Sequence, residues 1–241
     1  MPATLQVYFK KTSTPFFGLL AILFLLLLYE GGIMNLQLTS RNSAEIMLQR
    51  LLWFIGFKNN LLLLLVYLVL LAWAFWSAKK QQMVDFKFVY FPYSVFESTL
   101  YALLLSVLAG QLTARTSIGI SMLLQKSAGL PSAEVGARMM SALGAGIYEE
   151  LLFRFVIISV LLFIFEKLSG AKRSVNVVFS LVISALLFSG FHYLGGREVM
   201  TLESFAFRFY AGMILGSLFV LRGIGIASYT HAIYNLLLVL R

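Results

Sequence analysis

Three charged side chains stand within one apolar stretch of this sequence. Glu149 and Glu150 are followed by Leu-Leu-Phe and then by Arg154, so the three charges fall within six residues. On insertion scales, each ionised side chain near the centre of a bilayer costs about 2.5–3.5 kcal/mol. The only two histidines of the chain, His192 and His231, also lie in apolar segments. Carboxylates and imidazoles placed in this way could carry out acid–base chemistry inside a membrane.

Helical spacing divides the three charges into a pair and a single group. Glu150 and Arg154 are four residues apart, so they share one face of an α-helix and can form an ion pair. Such pairing offsets much of the desolvation cost of both groups. Glu149 is rotated from Glu150 by about 100° and is left to face a hydrated cavity as a base. A structural salt bridge between helices, without any chemistry, explains the same motif equally well.

Two further motifs contain the histidines. Phe188-Ser-Gly-Phe-His192 lies near the end of an apolar segment, and Phe188 and His192 share a helical face. His231 and Asn235 share a face in the last apolar segment, and both can donate hydrogen bonds. Structural alternatives are a histidine at the membrane interface and hydrogen bonds between helices, worth about 0.6–2 kcal/mol each. Taken singly, each motif is therefore open to both interpretations.

The composition shows which fold must position these residues. Apolar residues make up 60% of the 241 residues, and the mean hydropathy is +0.89. Several apolar runs approach the roughly 20 residues that a helix needs to cross a bilayer. The fold class is therefore all-α: a polytopic transmembrane helical bundle of about seven or eight spans, forming a single domain.

The hydropathy pattern also predicts where the spans lie. The run at 43–57 is amphipathic and suits the membrane interface. The run at 116–130 is too short and polar to span the membrane. Pro131-Ser132 indicates the start of the next helix. Lys10-Lys11 before the first apolar run resembles a signal peptide, but without a cleavage site a retained helix is favoured. The distribution of Lys and Arg favours a cytoplasmic N-terminus. The expected spans are 15–34, 60–78, 89–112, 132–167, 174–194, 202–221 and 224–240.

Residue usage excludes several kinds of function. The chain has no cysteine, so disulfides, thiolate zinc sites and a cysteine nucleophile are all excluded. Its net charge of +9 comes from basic residues that lie mostly between the apolar runs. These residues suit anionic lipid head groups and topology signals. We therefore expect an integral membrane protein whose partners are lipids and a membrane-associated substrate, and no nucleic acid.

Taken together and in order, the three motifs resemble a known family. EExxxR, then FxxxH, then HxxxN are similar to the motifs of the CPBP family of intramembrane proteases. That family includes the eukaryotic Ras-converting CAAX endopeptidases and prokaryotic relatives linked to bacteriocin processing or immunity. The resemblance covers about residues 140–240 and implies a catalytic core at 131–241, with a cavity between helices. Residues 1–130 would supply transmembrane helices and an interfacial segment of the same domain. One departure is Phe155, where family members often have glycine, and it puts the local helix packing in doubt.

The resemblance implies a glutamate-dependent endopeptidase that cleaves a membrane-embedded or membrane-anchored protein or peptide. Glu149 matches the catalytic glutamate, and His192 matches the histidine that helps to hold and activate a water. His231 and Asn235 match the pair that stabilises the oxyanion of the tetrahedral intermediate. A buried carboxylate and positioned donors suit amide hydrolysis.

The same resemblance gives Glu150 and Arg154 a supporting role. Zinc bound by Glu149, His192 and His231 is an alternative, because two histidines and a glutamate can leave one coordination position open. However, the sequence lacks HExxH, and the two histidines lie far apart on separate segments. A reaction without a cofactor or metal is therefore favoured.

Other polar residues in apolar runs are expected to be structural. Glu97 and Arg208 are expected either to pair with each other or to line the cavity, and Glu203 is an alternative partner for Arg208. Gly144 and Gly146, just before the glutamates, are expected to permit close approach between helices.

Two other functions fit parts of the pattern. A non-enzymatic membrane protein of the same fold, for example an immunity protein, would keep the cavity and bind a peptide without cleaving it. A proton-coupled transporter would use Glu, His and Arg as a relay. The sequence has no inverted repeat and no paired broken helices to support transport.

Overall fold

Helices make up all the regular secondary structure in the described part of the protein. The computed structural model describes residues 3–39, 41–54, 56, 61–80, 87–116, 132–194 and 199–240. Within these ranges there is no strand, which confirms the expected all-α class.

Five helices lie in the described part of the N-terminal half. Thr14 caps the second of them by accepting a hydrogen bond from the backbone N–H of Phe17 at 3.2 Å, and Pro15 is its first residue, where a missing N–H is harmless. Pro92 is accommodated in the same way, in the first turn of the fifth helix. The helices are α1 (Ala3–Thr12), α2 (Pro15–Asn35), α3 (Ser43–Phe54), α4 (Leu61–Lys80) and α5 (Tyr90–Thr116).

Within residues 132–194 and 199–240, the C-terminal half has one long helical segment followed by three separate helices. The long segment runs from residue 132 to 168, close to the expected 132–167, but its centre is a π-helix with i→i+5 hydrogen bonds. The elements are α6 (Ser132–Gly144), the π-helix (Ala145–Ile158), α7 (Ser159–Leu168), α8 (Arg173–Phe191), α9 (Leu202–Arg222) and α10 (Ile224–Val239). Residues 117–131 lie outside the described ranges, so the non-spanning segment expected there stays a prediction.

Four of the described helices are long and apolar enough to cross a membrane. They cover Pro15–Asn35, Tyr90–Arg115, Arg173–Phe191 and Leu202–Arg222, and Ile224–Val239 is a shorter apolar helix. Large apolar side chains such as Leu27, Phe96 and Phe179 point outward from these helices, as lipid contact requires. These features describe an integral membrane protein, while the total of seven or eight spans stays a prediction.

The last helix, α10, lies at the centre of the bundle. It packs against α2, α5, α6, α9 and the π-helix, and every residue from Ile224 to Ala232 is buried. Helix α8 packs against α9 and against the π-helix. The three segments that carry the sequence motifs are therefore held together in one core.

Close approach between the π-helix and α10 depends on Gly146. A Cβ atom at this position would lie 2.7 Å from the carbonyl oxygen of Ser228 and 2.6 Å from the Cβ of Ala232. At Gly144 a Cβ would lie 2.8 Å from the ring of Tyr29. Both glycines thus permit tight packing, as their position before the glutamates indicated.

A cluster of buried polar groups joins the end of α1 to α5 and to the end of α9. The guanidinium of Arg222 donates to both carboxylate oxygens of Glu97, at 2.6 and 2.8 Å, and to the hydroxyls of Thr12 and Ser13. The expected pairing of Glu97 with Arg208 is therefore wrong. Arg208 and Arg222 stand about 21 Å apart along α9, so only one of them can reach Glu97.

We expect Gly146→Ala to destabilise the protein by about 1–3 kcal/mol, because the added methyl group meets backbone that cannot move away easily. Thermal unfolding in detergent micelles measures this effect. Gly31→Ala is the matched control, since a Cβ at Gly31 in α2 meets nothing within 4 Å. Equal melting temperatures for the two variants would contradict the close-packing role of Gly146.

Candidate active site

The charged motif lies on the π-helix, facing the interior of the bundle. Glu149, Glu150 and Arg154 are all buried, and the side chains of Glu150 and Arg154 are 0% and 1% exposed. A π-helix turns through fewer degrees per residue than an α-helix, because its hydrogen bonds span five residues instead of four. The two glutamates therefore diverge less than the α-helical estimate of about 100°. Both carboxylates can then approach the same face of α10.

A cavity of about 580 Å³ opens in front of Glu149. It lies between the start of α3, α6, the π-helix, the end of α8, α9 and α10. Four predicted site residues line it together: Glu149, His192, His231 and Asn235. Glu150 and Arg154 do not line the cavity and lie behind its wall.

The carboxylate of Glu149 lies between the two imidazoles. Its Oε2 atom is 3.9 Å from Nε2 of His192 and also 3.9 Å from Nε2 of His231. Both distances are too long for a direct hydrogen bond, but they leave the three atoms close enough to share one water molecule. Among the described residues, no group makes a hydrogen bond to this buried oxygen.

The imidazole of His192 is oriented by the helix that precedes it. Its Nδ1 lies 2.9 Å from the backbone carbonyl oxygen of Phe188. A carbonyl oxygen only accepts hydrogen bonds, so Nδ1 carries the proton and Nε2 of the neutral ring presents a lone pair to the cavity. Burial lowers the pKa of His192, although the charge of Glu149 opposes this shift. The ring is therefore neutral at pH 7.

The imidazole of His231 is held from behind by Glu150. Its Nδ1 lies 2.8 Å from Oε1 of Glu150, and Oε2 of the same carboxylate lies 3.3 Å from Nε of Arg154. The expected pair of Glu150 and Arg154 is present in the structure. The contact between Glu150 and His231 was not anticipated, since helical spacing gives no information about a partner on another helix.

Phe188 packs against three of the polar groups. The guanidinium carbon of Arg154 lies 4.3 Å from the centre of the Phe188 ring, which gives a buried cation–π contact. The same ring meets His192 and His231 edge to face, at centroid distances of 4.9 and 5.9 Å. This explains why a phenylalanine four residues before His192 belongs to the motif.

Three arginines also line the cavity: Arg41, Arg138 and Arg208. Arg208 is among these lining residues, which confirms the alternative expectation that it lines the cavity. Its Nη1 donates a hydrogen bond to the hydroxyl of Tyr193 at 2.9 Å. Glu149 is the one acidic side chain among the described lining residues.

Sequence reasoning missed one polar side chain that reaches Glu149. Asn42 lies just before α3, lines the cavity, and its Nδ2 is 3.5 Å from Oε1 of Glu149. Residues 1–130 were expected to supply transmembrane helices and an interfacial segment, and no site residue. The available signal was the polar stretch at 40–42, whose asparagine directly precedes a helix and suits a capping position.

Glu149, His192 and His231 are the metal ligands that the sequence offered as an alternative. In the part of the chain that the structure describes, no three His, Asp or Glu side chains stand in an arrangement that could hold a metal ion. With metal–ligand distances of about 2.0–2.2 Å, two ligands of one tetrahedral zinc ion stand about 3.3–3.6 Å apart. Both Nε2 atoms stand 3.9 Å from Oε2 of Glu149, slightly farther than this separation.

Comparison with known proteins agrees with this geometry. Residues 131–237 match the family model described as type II CAAX prenyl endopeptidase Rce1-like. This part of the chain is therefore similar to the Rce1-like endopeptidases. The match includes all three motifs, and it confirms the resemblance to the CPBP intramembrane proteases that the motifs indicated. No curated protein and no solved structure matches the chain significantly.

The buried ion pair between Glu150 and Arg154 is expected to stabilise the protein. Arg154→Met leaves the buried carboxylate of Glu150 without its cation, so we expect a loss of about 3–5 kcal/mol. The double variant Glu150→Gln with Arg154→Met removes both charges and keeps an acceptor for His231, so most of the loss should be recovered. Thermal unfolding in detergent measures all variants.

Arg138→Met is the matched control for this prediction. Arg138 and Glu134 have the same four-residue spacing, but both side chains are about half exposed. Loss of this pair should cost less than about 1 kcal/mol. If Arg154→Met is no more harmful than Arg138→Met, the buried pair does not have the supporting role described.

Proposed function

We propose that this protein is an intramembrane endopeptidase that hydrolyses a peptide bond in a membrane-embedded or membrane-anchored protein or peptide. One observation carries the proposal: Oε2 of Glu149 stands at the same distance from Nε2 of both histidines, inside one cavity between helices. The Rce1-like family match supports the same reaction class.

In the proposed first step, Glu149 acts as the general base. A water bound between Oε2 of Glu149 and the Nε2 lone pair of His192 attacks the carbonyl carbon of the scissile bond. The proton of the water passes to the carboxylate of Glu149, and the carbonyl oxygen becomes an oxyanion. When the intermediate collapses, the C–N bond breaks and Glu149 returns the proton to the leaving amine.

His231 and Asn235 are proposed to stabilise the oxyanion. They stand one turn apart on α10, and both line the cavity. With Nδ1 donating to Glu150, a ring that also carries a proton on Nε2 can donate a hydrogen bond to the developing charge. The carboxylate of Glu150 holds this ring in place from its other side, so the Glu150–Arg154 pair supports catalysis without touching substrate.

We propose that the reaction requires no metal ion and that lipids surround the enzyme, with the N-terminus on the cytoplasmic side. Direct attack by the glutamate-activated water uses all four predicted site residues in the cavity, Glu149, His192, His231 and Asn235, without a Lewis acid.

We expect Glu149→Gln and His192→Ala to abolish cleavage, with a loss of at least about 100-fold in kcat. Asn235→Ala should reduce kcat by about 100-fold, since it removes one oxyanion donor. Cleavage is measured by mass spectrometry on a membrane-anchored peptide substrate in vesicles that contain the purified protein. A chelator in the assay should leave the wild-type rate unchanged.

Glu166→Gln is the control for these substitutions, because Glu166 is exposed at the end of α7 and pairs only loosely with Arg173 at 3.5 Å. Its rate should equal that of the wild type. Retained cleavage by Glu149→Gln would refute the assigned role. A protein that binds the peptide equally well in all variants and cleaves it in none would be the non-enzymatic alternative.

The lowered pKa of His192 predicts the acid side of the rate profile. The proposed mechanism needs a neutral ring at His192, and an unperturbed histidine becomes protonated as the pH falls through about 6.5. Because burial lowers the pKa of His192, cleavage should persist below that pH and be lost as the pH falls through the lowered value. The rate is measured against pH, with thermal unfolding at each pH as the control for folding. A loss of activity already centred at or above about pH 6.5 would contradict this prediction.

A further inference from the structure

Asn42 reaches the catalytic cavity from the N-terminal half of the chain. Its side chain is buried, lines the cavity, and directs Nδ2 at Oε1 of Glu149 over 3.5 Å. This contact involves Oε1, whereas Oε2 of the same carboxylate is the oxygen that stands 3.9 Å from Nε2 of each histidine. It is long for a hydrogen bond, but contacts at catalytic groups often tighten only when substrate is bound.

The orientation of the Asn42 amide follows from its place at the start of α3. Its Oδ1 accepts a hydrogen bond from the backbone N–H of Ala44 at 2.8 Å, and its carbonyl accepts from the N–H of Ile46 at 3.0 Å. Asn42 is thus the N-cap of α3. Because the cap requires the oxygen to face Ala44, the NH₂ group must face Glu149.

The backbone of Asn42 is held by a second buried network. Its N–H donates to the hydroxyl of Tyr29 at 3.3 Å, and that hydroxyl donates to Oε2 of Glu45 at 2.6 Å. Nη1 of Arg41 donates to the other oxygen of Glu45 at 3.0 Å. A Cβ at Gly144 would lie 2.9 Å from the Cβ of Asn42, so the packing of α6 is also fitted to this side chain.

We propose that Asn42 is a positioning residue for Glu149. The terminal torsion of a glutamate side chain is broad, so the carboxylate needs a partner to hold one orientation. A donor on Oε1 keeps Oε2 turned toward the two imidazoles, where the attacking water is held. This inference rests on the proposed function, since it gives Asn42 a role in the same reaction.

The alternative is that Asn42 serves only as a helix cap. The two roles use different atoms of one side chain, so substitutions can separate them. Asn42→Ser keeps an oxygen that can cap α3 but has no amide to reach Glu149. Asn42→Ala loses both the cap and the donor. A purely structural role predicts that activity follows stability.

We expect Asn42→Ser to lower kcat by up to about 100-fold, with KM and the melting temperature close to those of the wild type. Asn42→Ala should lower kcat to the same extent and should also reduce the melting temperature. Thr14→Ala is the matched control, because it removes the cap of α2 at a site remote from Glu149. It should lower the melting temperature and leave kcat unchanged.

A spectroscopic measurement tests the contact without any turnover. In protein labelled with ¹⁵N-asparagine, the side-chain amide resonances of Asn42 should move in Glu149→Gln and stay in place in Glu166→Gln. Resonances that do not respond to Glu149→Gln would overturn the inference. An Asn42→Ser variant with the wild-type kcat would also overturn the inference. Wild-type cleavage by Glu149→Gln would instead overturn the proposed function, and the two failures are therefore distinct.

Discussion

The buried carboxylate of Glu150 imposes the strictest physical demand on this structure. A charge without access to solvent must be compensated at both of its oxygens, and here one oxygen faces Arg154 and the other faces His231. The first contact is local, since both residues lie on the π-helix. The second joins two helices and fixes how α10 is rotated about its own axis. Once Nδ1 of His231 is directed at Glu150, its Nε2 points into the cavity toward Glu149. The position of the second imidazole thus follows from the need to satisfy a charge behind it.

Several packing features serve this arrangement. Gly146 lets the π-helix approach the backbone of α10 closely enough for Glu150 to reach His231. Phe188 covers the guanidinium of Arg154 and touches both imidazoles, so α8 is fixed by the same group of contacts that it helps to form. The carbonyl of Phe188 also selects the tautomer of His192. One aromatic residue therefore helps to orient groups on three elements.

The N-terminal half has a larger part in the site than its composition suggests. Its apolar helices provide lipid-facing surface, but two polar networks connect them to the C-terminal half. In the first, Glu97 on α5 and the end of α1 surround Arg222. In the second, the Tyr29–Glu45 pair supports Asn42 next to Glu149. The first network anchors the bundle, whereas the second reaches the base of the proposed reaction. The Rce1-like match begins at residue 131 and does not include either N-terminal contribution.

The sequence by itself determined the all-α class, the extent of most helices, and a small set of candidate residues. These properties depend on apolar run length and on spacing within one helix, which local sequence encodes directly. Glu150 and Arg154 were paired correctly for this reason, and the four residues at Glu149, His192, His231 and Asn235 do line one cavity. Only the tertiary structure decided that Glu97 pairs with Arg222, that Glu150 also holds His231, and that Asn42 faces Glu149. Each of these contacts joins residues that are distant in sequence, and the π-helical winding changes the angle between Glu149 and Glu150. Spacing rules within an α-helix carry no information about either.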